Sequence, residues 1–298
     1  MQKCAGNESF ASGWGPIREV SVAVTGGGDM DLKRRGFLAA GVSAVAVATL
    51  PSGVAAQTAP GESHPIGDFI LTRTADGLRI SHKRASERII WETEPDGNFI
   101  VAEEATAAID EFGAPEGTFE IKDAVSASYR KPTIDAIDAV GNAATVSGML
   151  TSPAGAVGYK LAFEAVSPTH LRFVISADGP KASGVNRIRL RVGSVEDEAI
   201  FGCGEQLTDF NQKGNILPIL VQEHGIGRGR PIITELVDLF DHQSGGNPYH
   251  TGAPAPYVIT SRLRSLFLEN LEYSVFDMRQ AGHIDIKVWS ATMTGRIL

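Results

Sequence analysis

Short runs of alternating apolar and polar residues, broken about every ten residues by Gly, Pro or Asp, constrain this chain more than any other feature. The clearest run is Arg187-Ile188-Arg189-Leu190-Arg191-Val192, whose period of two sends successive side chains to opposite faces of a strand. Residues 69–74 and 78–83 flank Ala75-Asp76-Gly77, and residues 88–92 and 98–102 flank Pro95-Asp96-Gly97. Asp-Gly accepts the positive φ of a tight turn, so both stretches predict hairpins. Further strands are expected at 118–121, 144–150, 157–166, 171–176 and 187–192, then at 257–260, 265–268, 273–276 and 284–290. Only residues 103–112 and 132–140 read as helical, both short and rich in Ala. There is no repeat or heptad. The pattern predicts an all-β fold, an antiparallel β-sandwich over residues 68–298. Its three arginines at 187, 189 and 191 are expected on one solvated sheet face.

From residue 201 to 256 the strand signal thins and Gly, Pro, Asn and His take over. Loops this long inside a compact domain tend to carry function or to meet another domain. The segment opens with Phe201-Gly202-Cys203-Gly204-Glu205-Gln206, in which Gly202 and Gly204 allow close backbone approach. Glu205 and Gln206 follow directly, placed to hydrogen-bond something. Asp209-Phe210-Asn211 and Gly214 come next, then Gln222-Glu223-His224-Gly225-Ile226-Gly227-Arg228.

Hydrophobic residues make up 43% of the chain, enough for a core. The formal net charge is −8 and no basic cluster stands out beyond the N-terminal region. That argues against nucleic acid or an anionic membrane surface as a partner. Lys33-Arg34-Arg35-Gly36-Phe37-Leu38 reads as a twin-arginine export motif, followed by a moderately apolar run to Leu50. Val54-Ala55-Ala56 supplies small residues for cleavage before Gln57. Residues 1–56 are therefore an upstream extension and signal peptide, with translation expected to start at Met30, and residues 57–67 a polar linker. The expected location is periplasmic or secreted, with no membrane span after cleavage. The mature chain would keep one cysteine, Cys203, which cannot form an internal disulfide and has no neighbouring base to activate it.

Other constellations are weak. His224, His242 and His250 with Asp238 and Asp241 match no compact metal-ligand spacing, so no metal or other cofactor is expected. No Gly-x-Ser-x-Gly elbow nominates a nucleophilic serine. Gly225-Ile226-Gly227-Arg228-Gly229-Arg230 could offer freed amides and arginines to one anionic group, or Arg228 could pair with an acid in an adjoining domain. Glu205 and Glu223 are the best-placed carboxylates for glycoside chemistry, and interface hydrogen bonding explains them equally well.

Phe201–Gln206 with Asn211 and Gly214 resembles the Gly-x-Gly-Glu segment near the end of the N-terminal β-sandwich of glycoside hydrolase family 31. Glu223–Arg228 resembles the Glu-Gln-Gly-x-Gly-Arg element of its sulfoquinovosidase-like branch, with His224 replacing the glutamine. Gly245-Gly246-Asn247-Pro248-Tyr249, with Pro254 and Pro256, resembles the family's tyrosine-proline stretch, and residues 267–277 its following strand pair. The resemblance implies a galactose mutarotase-like sandwich that packs on a (β/α)₈ barrel and lends a loop to its pocket. It implies a carbohydrate ligand, an α-glucoside or an anionic sugar, hydrolysed with retention by two barrel aspartates. Residues 57–298 are already used by strands, so those aspartates have no counterpart and no residue here is assigned as catalytic. The expectation is an inactive portion cut before its barrel, in which Glu223, His224 and Arg228 touch substrate. Gly202, Gly204, Glu205 and Gln206 then form the junction. The alternative is a free-standing carbohydrate-binding or mutarotase-like sandwich.

Overall fold

The computed structural model describes residues 59–112, 117–241 and 244–298. The expected signal peptide, its cleavage site and the upstream extension lie outside the described residues. From residue 63 onward the fold is dominated by antiparallel β-strands, as the alternation predicts.

Four strands form a meander: β1 (Ser63–Ile66), β2 (Phe69–Arg73), β3 (Leu78–His82) and β4 (Ala85–Glu92). β1 begins inside the stretch expected to be linker, because residues 63–66 find partners at Phe69–Thr72 across the turn. A six-stranded sheet runs in the order β13 (Ile216–Ile219), β16 (Ser274–Asp277), β17 (His283–Val288), β11 (Arg187–Gly193), β5 (Ile100–Phe112) and β6 (Thr118–Tyr129). An eight-stranded sheet begins with β12 (Ile200–Gly204), β14 (Pro254–Thr260), β15 (Ser265–Leu268) and β18 (Thr292–Ile297). It continues through β10 (His170–Asp178), β9 (Gly155–Ser167), β8 (Ala143–Ser152) and β7 (Ala136–Val140). One helix, α1 (Ile233–Phe240), sits in the long connection between β13 and β14.

One buried cluster joins all three sheets. The alternation explains it: Ile188 and Leu190 of β11, Ile286 and Val288 of β17, and Phe173 and Ile175 of β10 are all buried, while residues between them are less so. Trp91 of β4 meets Phe163 of β9 edge-on, with ring centroids 5.8 Å apart. Non-directional burial of this kind is the main stabilising term.

Both helical expectations fail. Residues 103–112 belong to β5, which pairs with β6 along its length and with β11 at Ile100–Glu103. Residues 136–140 are β7, turned back on β8 through Gly141 (φ 61°) and Asn142. Alanine's helix preference is worth only tenths of a kcal/mol per residue, so partner strands override it. The Asp76-Gly77 turn does close the β2–β3 hairpin. The second turn does not: Gly97 (φ 81°) hands the chain from β4 in one sheet to β5 in another.

Candidate functional site

The Gly202–Gln206 segment is the irregular end of β12 and the turn that follows it. Gly202 (φ 117°), Cys203 (φ 60°) and Gly204 (φ 84°) form a bulge in the β12–β14 pairing. A Cβ on Gly202 would meet the Tyr257 carbonyl oxygen at 2.3 Å, and one on Gly204 would meet that of Ala253 at 2.1 Å. Both glycines are needed for contact. The Glu205 amide donates to Ala253 O at 3.0 Å, leaving its carboxylate exposed. Gln206 Nε2 donates to Cys203 O at 2.9 Å and so ties the turn to itself. Burial pushes the Cys203 thiol up to about 12, which makes it an inert core group.

The Glu223–Arg228 segment sits on the rim of the six-stranded sheet. Gln222 anchors it: its amide donates to Thr251 O at 2.9 Å, and its Oε1 accepts the Phe119 N–H at 3.0 Å. The Glu223 amide donates to Gly117 O at 3.3 Å and its side chain is exposed. His224 Nε2 accepts the Gly252 N–H at 3.0 Å, which leaves Nδ1 as the donor of the ring. Beyond it the loop crosses itself at Gly225 and Gly246. The amides of Ile226, Gly227 and Arg228 donate to the carbonyls of Ser244 and Gly245 at 2.7–2.9 Å. The amide cradle considered for an anion is therefore already occupied by backbone. The Arg228 guanidinium makes no ion pair with a described residue. Glu205 and Glu223 are held by backbone bonds on separate segments, and both carboxylates face solvent.

The histidines and aspartates weighed as metal ligands are dispersed. Asp238 accepts the Gly245 N–H at 2.8 Å, Asp241 accepts the Ser244 hydroxyl at 2.6 Å, and His242 lies outside the described residues. No described set of three or more His, Cys, Asp or Glu side chains converges as a metal site would require. α1 presents Ile233, Leu236 and Phe240 at helical spacing on an exposed face, with Phe240 86% exposed. Phe210, 84% exposed, adds to the apolar surface of the loop region, its ring tilted 41° to that of Phe201 with centroids 4.9 Å apart.

The sequence does not disclose the cavity. The outward face of the six-stranded sheet, partly roofed by residues of the long connection, forms an open-mouthed cavity of about 470 Å³. Arg187, Arg189 and Arg191 share this face as expected, but it is not a solvated one. Asp285 on β17 takes Arg189 Nη2 at 2.6 Å and Arg191 Nε at 2.9 Å. Asp123 on β6 takes Arg187 Nη2 at 3.1 Å and also Lys287. Burial alone would raise the Asp123 carboxyl, yet Lys287 and Arg187 hold it below the usual carboxylate range. Acids at outward positions of the neighbouring strands neutralise the arginines, a pairing visible in sequence only once strand order is known. Tyr273 and Trp289 line one side with ring centroids 4.8 Å apart, and Tyr249 and His250 come from the roof.

No family model matches the chain. Among curated proteins, the sulfoquinovosidase of Agrobacterium fabrum is 34% identical over 106 residues, covering 36% of this chain and 16% of that protein. The chain resembles the N-terminal region of family 31. The sulfoquinovosidase of Escherichia coli is 28% identical over 111 residues, 37% of this chain and 16% of its own length. Among solved structures, a family 31 sulfoquinovosidase from E. rectale, in complex with an aza-sugar inhibitor, superposes with a TM-score of 0.57 at 20% identity. That match covers 79% of this chain and 32% of the other, and it shows the shared fold. The matched region thus spans about one sixth of the curated relatives' length.

Proposed function

We propose that this chain is the non-catalytic sandwich portion of an exported family 31-like α-glycosidase, and that its Glu223–Arg228 loop supports and partly lines the substrate pocket. The observation that carries the reading is the loop itself. Gly225 and Gly246 pin it backbone to backbone, so Glu223, His224 and Arg228 are presented at the rim beside an uncovered apolar helix. A catalytic (β/α)₈ barrel would cover that helix and supply the two carboxylates that a retaining glycosidase needs. Arg228, without an acidic partner among the described residues, is suited to an anionic sugar substituent. The names of the two curated relatives favour a sulfoquinovoside over a plain α-glucoside. Export rests on Lys33-Arg34-Arg35 and the apolar run behind it.

The purified chain should release no 4-nitrophenol from 4-nitrophenyl α-glucoside or α-sulfoquinovoside above the buffer rate. Turnover by this chain alone would overturn the reading.

A further inference from the structure

We propose that the cavity on the outward face of the six-stranded sheet binds a neutral saccharide, with Tyr273, Trp289 and Asn247 as its contact residues. The inference concerns the sandwich alone and stands or falls separately from the pocket-lining role of Glu223–Arg228.

Size comes first. About 470 Å³ lies within the range of small-ligand pockets, roughly 300–1,000 Å³. The lining has the mixture a sugar needs, apolar ring faces beside convergent polar groups. Phe119, Tyr249, Tyr273 and Trp289 supply the rings. Arg187 lies 4.0 Å from the Trp289 ring centroid and Tyr273 meets the ring edge-on, so the indole is held in place before any ligand arrives.

The polar groups decide the ligand class. The charges on the floor satisfy one another: Arg189 with Asp285, Lys287 with Asp123 and Glu103. A charged ligand would have to break these pairs, which are partly buried, or lose its own hydration without a free counter-charge. A hydroxyl-bearing ligand needs neither. Several donors and acceptors remain without a protein partner among the described residues. These are the buried His250 Nδ1 and, on part-exposed or exposed lining residues, the Tyr273 hydroxyl, the Trp289 indole N–H and the Asn247 side-chain NH₂. Asn247 Oδ1 accepts the Tyr249 N–H at 3.0 Å, which restrains the side-chain amide at the cavity mouth. Neutral hydroxyls can bridge these groups and the outer lone pairs of the paired carboxylates.

The test is isothermal titration calorimetry of the purified chain with maltose, and with methyl α-sulfoquinovoside as the anionic comparison. Maltose should give saturable heat, and the anionic sugar much weaker binding. Tyr273→Phe and Asn247→Ala should each weaken maltose binding about fivefold, the loss of roughly one hydrogen bond. Val140→Ser, a change at an exposed position on the outer strand of the eight-stranded sheet, should leave it unchanged. Should either cavity variant fold poorly, the wild-type chain still decides: maltose must shift the NMR resonance of the Trp289 indole N–H. No saturable heat, binding indifferent to both cavity variants, an unmoved Trp289 resonance, or equal affinity for the anionic sugar would each overturn the proposal.

Discussion

A Cβ placed on Gly225 would lie 2.3 Å from the Cα of Gly246, so the two limbs of the long connection touch with no side chain between them. Gly225 (φ 67°) and Gly246 (φ 73°) both occupy the left-handed region as well. Steric contact and backbone conformation therefore demand glycine independently at both positions.

Gly225→Ala should open this crossing without unfolding the sandwich, because the buried core lies elsewhere. Strain of about 1–3 kcal/mol falls on the loop alone. Limited trypsin digestion should cut after Arg228 faster than in wild type, while the urea midpoint stays nearly unchanged. Equal proteolysis rates would show that the crossing does not hold the loop.

Arg264→Met should be far more damaging. Arg264 Nε lies 3.1 Å from Glu198 Oε1, and the Glu198 side chain is fully buried. Burial alone would raise the Glu198 carboxyl, but Arg264 holds it below the usual range. Removing the guanidinium leaves an uncompensated buried charge and costs about 3–5 kcal/mol. Urea unfolding should show that loss, and adding Glu198→Gln should recover part of it.

Glu94 should titrate near neutrality. Burial, then a hydrogen bond with Asp96, raises its carboxyl to about 7 against the opposing pull of Arg191. Its protonated form is favoured by folding, so this contribution is full below pH about 4.5 and is lost as pH rises through about 7. The neighbouring His283, 2.8 Å away, is held below the usual histidine range by burial and then by Arg191. Its contribution has the opposite slope: present above pH about 6.5, lost as pH falls. A carboxyl ¹³C titration should place the Glu94 midpoint near 7. A midpoint in the ordinary carboxylate range would contradict this account.

The sandwich was legible because its strands obey one simple rule. Wherever one face of a strand meets the core, as at Ile188 and Leu190, alternation follows. The rule failed where alanine hid it, as in β5 and β7, whose extended form depends on partner strands distant in sequence. Of the candidate site, the glycines were readable because a missing side chain leaves its mark in any context. Tyr273, Trp289 and Asp285 were not, since sequence shows neither strand order nor which acid faces which arginine. α1 was overlooked for a different reason. It is short, lacks a side-chain N-cap and is entered through Ile232 with φ 73°.

Leu239→Ser with Phe240→Ser should reduce self-association. The two side chains are 77% and 86% exposed on a helix that buries none of its residues. Exposed apolar surface of this kind favours contact between molecules. Sedimentation velocity should show a smaller fraction of larger species in the double variant, with the circular dichroism spectrum unchanged. Identical distributions would mean that α1 is not the adhesive surface.

β18 lies inside the eight-stranded sheet, paired on one side with β10 and on the other with β15. During synthesis its residues 292–297 leave the ribosome after every other strand of the sandwich. Until they emerge, β10 and β15 each present an open edge, and Phe173 lacks the Gly295 backbone it packs against. The sandwich can therefore close only once translation has passed residue 297. A chain lacking residues 292–297 would be a sheet with a slot in its middle, open to any passing strand.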